Sequence, residues 1–100
     1  MEDERQRRTF LVEHYWPGVT EQGFRAAAER VRESALGLAA EDGGIVFLHS
    51  TLVPGDEAAF CVFEATSAEL VGEAYGRAGV RFDRILDALE MGHDPRKEEQ

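Results

Sequence analysis

The sequence predicts an α+β domain with the ferredoxin-like order β-α-β-β-α-β, a four-stranded antiparallel sheet with two helices on one face. Three observations carry that expectation. The middle of the chain, IVFLHSTLVPGDEAAFCVFEA, is two apolar runs, Ile45–Val53 and Ala58–Ala65, joined by Pro54-Gly55-Asp56-Glu57. Valine, isoleucine, phenylalanine and threonine dominate the runs, as strands favour. Pro-Gly is turn chemistry: proline presets φ and Gly55 is expected to supply positive φ. Apolar residues also recur at helical spacing on both sides of this hairpin, and an aromatic, β-branched run precedes them all.

Taken in order, residues 1–8 (MEDERQRR) are wholly polar and read as a flexible tail. Residues 9–16 (TFLVEHYW) read as strand one. Alternation puts Phe10, Val12, His14 and Trp16 on one face and Leu11, Glu13 and Tyr15 on the other. Both faces are largely apolar, so the strand is central or covered on both sides, and Pro17-Gly18 ends it. Residues 20–40 read as helix one. Thr20 is a good N-cap, Glu21 complements the macrodipole, and Phe24, Ala27, Val31, Ala35 and Leu38 make the apolar stripe. Asp42-Gly43-Gly44 stops that helix.

After the hairpin, Thr66-Ser67-Ala68-Glu69 matches a capping box. Leu70, Val71, Ala74, Tyr75 and Ala78 form one stripe of helix two, residues 67–78, with Gly79 as its left-handed stop. Residues 80–91 fit two elements. Phe82, Ile85, Leu86 and Leu89 have helical spacing, while Ile85, Asp87, Leu89 and Met91 alternate. Topology decides for a strand at 85–91, because three strands and two crossover helices leave the sheet short of a partner. Residues 92–100 read as a second flexible tail, which leaves one domain at 9–91.

The net charge is −9, from 20 acidic and 11 basic residues. The tails do not account for it: residues 1–8 are balanced and residues 92–100 carry a single excess acid. An acidic domain argues against a nucleic-acid partner and an anionic membrane surface, and is compatible with cationic ligands. Cys61 is the only cysteine, so no internal disulfide is expected, in keeping with a reducing cytoplasm. The chain opens on charged residues and has no apolar run near the ~20 residues of a membrane span, so neither a leader nor a span is expected.

The order FLVEHYWPGVT, FLHS, FCVFEA and then RAGV followed by DRI resembles a family of small bacterial domains of unknown function, some of whose members are nickel-binding or nickel-responsive. The resemblance runs from about Phe10 to Met91. It implies a ferredoxin-like homodimer and favours the strand at 85–91. Residue by residue, it matches Glu13 to the acid closing strand one, His49-Ser50 to a His-Ser pair on strand two, and Cys61 to a cysteine on strand three. Tyr75 is a departure, standing in helix two where many members carry a histidine.

The candidate ligand-binding residues are therefore Glu13, His49, Tyr75 and Cys61, with Glu13 and His49 as metal donors for nickel or another divalent transition ion. A carboxylate among apolar neighbours needs a partner, and His49 on a nearby strand is the expected one. His49 is otherwise a general base or a satisfied interior histidine, and Tyr75 a core aromatic. Cys61 is a small buried hydrophobe or, with His49, a nucleophilic pair. His14 is expected to line the open sheet face. Two further classes stand beside the metal-binding one: a cleft enzyme with His49 as acid–base residue, Glu13 orienting it and Tyr75 donating, and a purely structural module. Finally, two helices cover only one face of a sheet whose strands are apolar on both, so a second copy is expected over the other.

Overall fold

The computed structural model describes residues 6–92. The parts of the two expected tails at 1–5 and 93–100 lie outside the described residues. The elements are β1 (Arg8–Tyr15), α1 (Glu21–Asp42), β2 (Ile45–Val53), a 3-10 turn (Pro54–Asp56), β3 (Ala58–Ala65), α2 (Ala68–Ala78) and β4 (Arg84–Ala88). The order is β-α-β-β-α-β, the ferredoxin-like α+β fold. The sheet runs β2-β3-β1-β4 with every neighbouring pair antiparallel. Its inner face meets both helices: Phe10 and Val12 of β1, Cys61 and Phe63 of β3 and Ile45 of β2 pack with Val31 and Leu38 of α1 and with Val71 and Tyr75 of α2.

Capping fixes the helix ends. The Thr20 hydroxyl accepts from the Gly23 N–H at 3.0 Å, and Gly43 closes α1 at φ 80°. In α2 the cap is Ser67, one residue later than the capping box suggests. Its hydroxyl accepts from the Leu70 N–H at 3.2 Å. Thr66 instead donates its backbone N–H to the Gly44 carbonyl at 2.9 Å, tying the end of β3 to the start of β2. Ser67→Ala is accordingly expected to cost about 1 kcal/mol of stability, measured by urea denaturation.

Two local expectations are corrected. The left-handed residue of the hairpin turn is Glu57, at φ 51°, and Gly55 is not in that region. The 3-10 turn closes with Glu57 N–H donating to Pro54 O at 3.0 Å, so reversal falls at its end. The Glu57 carboxylate accepts from the Gly18 N–H at 2.7 Å, and its carbonyl accepts from the Trp16 N–H at 2.7 Å. Those two bonds offset the cost of a side chain in a conformation that favours glycine. The second correction is β4, which ends at Ala88 and not at Met91; Leu89 and Met91 are 83% and 86% exposed.

The outer face of the sheet carries Leu11 and Glu13, which lie opposite Val62 and Phe60. The chain after β4 turns back over it. β4 and β2 are the two edge strands, about 14 Å apart at the usual strand spacing. Glu90, two residues past β4, nevertheless reaches His49 of β2. Val62, on the outer face, is correspondingly only 4% exposed.

Candidate functional site

The predicted site residues divide between the two faces of the sheet. On the inner face, His14 continues the parity of Phe10 and Val12 and is buried, so it does not line the open face. Its Nδ1 lies 2.9 Å from the Ala59 carbonyl and its Nε2 lies 3.0 Å from the Tyr75 hydroxyl. A carbonyl can only accept, so Nδ1 carries the proton. Burial, the largest influence, lowers the His14 pKa against the opposing pull of the Ala59 carbonyl and the Asp83 charge. The neutral ring therefore accepts from the Tyr75 O–H through Nε2. The Cys61 thiol lies beside the same phenol. Burial pushes the thiol up to about 11 and raises the phenol as well.

All three groups are thus neutral at physiological pH. A Cys61–His49 nucleophilic pair does not form: Cys61 faces the helices and is protonated, while His49 faces away from them. Tyr75, His14 and the Ala59 carbonyl form a satisfied polar chain inside the core, and among the described residues no buried side-chain nitrogen or oxygen lacks a partner.

On the outer face the pairing differs from the sequence expectation. Glu13 does not meet His49. Its Oε1 accepts from Arg84 Nε at 2.8 Å across the β1–β4 pair. Glu13 lies opposite Phe60 and His49 opposite Val62, on strands separated by β3. The pocket of Glu13, His49 and Tyr75 is therefore not assembled, nor is an acid–base arrangement with Glu13 orienting His49. What turns His49 outward is a β-bulge. Phe47 pairs with Phe63, but His49, not Leu48, pairs with Val62. Strict alternation would place His49 beside Ile45 and Phe47 on the inner face; the extra residue flips it.

His49 finds Glu90, which sequence reasoning missed. His49 Nε2 and Glu90 Oε2 are 3.6 Å apart, and both side chains are about half exposed, at 55% and 48%. An imidazole nitrogen and a carboxylate oxygen at this separation fit a divalent transition ion, which sits about 2.0–2.2 Å from each such donor. Among the described residues no group of three histidine, cysteine or acidic side chains converges. One chain's described residues therefore supply two donors.

The family model for nickel-responsive SCO4226-like proteins matches residues 10–87. The chain belongs to the SCO4226-like family. A search of curated proteins finds no match. The crystal structure of SCO4226 from Streptomyces coelicolor A3(2) is similar, with a TM-score of 0.68 and 22% identity over 84% of this chain and 99% of that one. At that identity the likeness is one of fold. The match begins on β1 and ends on β4, so the family region contains Glu13, His49, Cys61 and Tyr75, and stops three residues short of Glu90. No helix among the described residues is long and apolar enough to cross a membrane.

Proposed function

We propose that this member of the SCO4226-like family is a homodimeric binding protein for a divalent transition ion, nickel foremost, with the outer sheet face as its interface and His49 and Glu90 as donors there. The observation that carries the reading is the His49–Glu90 pair, an imidazole and a carboxylate 3.6 Å apart on the face away from the helices. A two-fold axis through that face brings a second copy of the pair. Two imidazoles and two carboxylates suit an ion of nickel's borderline character. Glu13 is held by Arg84 and serves as an interface ion pair in this reading, not as a ligand.

The apolar side chains around the pair support the dimer. Leu48, Leu89 and Met91 are 40%, 83% and 86% exposed in the single chain. Covering them gains roughly 25 cal/mol for each Å² removed from water. The free thiol of Cys61 is in keeping with a reducing cytoplasm. The test is calorimetric titration of the untagged full chain with Ni²⁺, Zn²⁺ and Cu²⁺, alongside sedimentation at micromolar concentration. The expected result is a species of twice the 11.1 kDa chain mass that binds Ni²⁺ at micromolar concentration or below. A species at the chain mass that takes up no ion below millimolar concentration overturns the reading.

A further inference from the structure

The described cations are unevenly neutralised. Residues 6–92 contain eight arginines and no lysine. Six of them, Arg7, Arg8, Arg25, Arg32, Arg77 and Arg84, sit within ion-pair distance of a carboxylate. The other two, Arg30 and Arg81, have no ion pair among the described residues, although the chain carries a net charge of −9. Both line the same groove. Arg30, on α1, is steadied by its Nε donating to the Ala78 carbonyl at 3.3 Å. Arg81 comes from the connection between α2 and β4.

That groove, of about 620 Å³, opens where β1 ends, between α1 and the α2–β4 connection. Trp16, Val80 and Phe82 give it apolar walls, and the buried His14 lies at its floor. The aromatic walls are braced from behind. Trp16 meets Phe24 edge-on at 6.4 Å, and Phe82 meets Tyr75 edge-on at 5.2 Å. Asp83 is the one carboxylate lining the groove, and it accepts the Tyr15 N–H. With His14 neutral, the lining carries one net positive charge. The larger groove, about 800 Å³ between α1 and β2, differs: its Arg25 and Arg32 are neutralised by Glu21 and Glu29.

We propose that the smaller groove binds a small organic monoanion, a carboxylate borne on a flat aromatic body. A guanidinium presents a planar fork that matches a carboxylate, and an aromatic ring lies favourably against indole and phenyl walls. The volume is that of ordinary small-ligand sites, and the single net positive charge suits a monoanion better than a phosphate. The groove is on the helix side of the sheet, away from the His49–Glu90 pair, so the assignment stands or falls independently of nickel binding.

Trp16 is the only tryptophan and reports directly. The full chain is titrated with trans-cinnamate and with the neutral isostere cinnamamide while Trp16 emission is followed. The expected result is saturable quenching by cinnamate, with cinnamamide weaker by roughly tenfold or more. Arg81→Gln and Arg30→Gln are each expected to weaken cinnamate by about tenfold, while Arg25→Gln, in the other groove, leaves it unchanged. Arg81 is exposed and holds no partner among the described residues, so its variant keeps the fold even if Arg30→Gln does not. Equal binding of the acid and the amide overturns the proposal, as does quenching that does not saturate. Displacement of cinnamate by inorganic phosphate at equal concentration also overturns it.

Discussion

Replacing His49 by alanine is expected to remove nickel binding at micromolar concentration from the full chain. Changes to groups that merely support a metal ligand already cost about 10–100-fold in affinity, so loss of the imidazole itself costs at least that. Glu90→Gln keeps the shape of the side chain but gives up the charge, and is expected to weaken the ion by about tenfold or more. Glu13→Gln separates the geometry seen here from simple alternation. Its carboxylate is committed to Arg84 at 2.8 Å, so its loss leaves the nickel affinity within about twofold. Calorimetry on the three variants reads these differences directly, and circular dichroism shows whether each still folds. An unchanged affinity in His49→Ala removes His49 from the site. A large loss in Glu13→Gln with none in Glu90→Gln replaces one acid by the other.

The hairpin was legible in the sequence because every local signal agreed. Both strands begin and end where the apolar runs do, at Ile45–Val53 and Ala58–Ala65. Turn residues and β-branched flanks pointed the same way, and consistency across levels is what makes a segment readable. The second helix was nearly as clear, and its cap moved by one residue because Thr66 and Ser67 offer equivalent hydroxyls. Strand four came from topology, and its end was missed because Leu89 and Met91 alternate as a strand would while lying exposed. The site was harder. A bulge is one unpaired residue with no strong sequence mark, and the one at Leu48 turned His49 to the outer face. His14 could have been found: it shares the parity of Phe10 and Val12, the most apolar face of strand one. Glu90 could not, because it depends on where the chain goes after strand four, and Arg84 could not, because its place opposite Glu13 depends on the register between β1 and β4.

The largest effect on stability is expected at His14. His14→Leu takes the acceptor from the Tyr75 O–H and the Nδ1–H donor from the Ala59 carbonyl, in a part of the core where Tyr75 and Ala59 are fully buried. Leaving two such groups unpaired costs roughly 2–4 kcal/mol. Tyr75→Phe removes the phenol alone and strands Nε2, at about 1–3 kcal/mol. The two changes break one bond between them, so the double variant is expected to cost less than the sum of the singles. The loss also depends on pH, with a definite sign. Burial lowers the His14 pKa below 6.5, so the unfolded chain takes up its proton first as the solution is acidified. Stability from the neutral ring is full above about pH 6.5 and falls as pH drops from there toward the folded value. His14→Leu carries no such proton, so its deficit against the natural chain is greatest near pH 7.5 and narrows toward pH 5.5. Urea denaturation at pH 7.5, 6.5 and 5.5 measures it. A deficit that widens on acidification would mean that the folded chain favours the charged ring, a constant one that folding does not shift the ring's pKa, and strict additivity in the double variant would mean that the His14–Tyr75 bond contributes nothing.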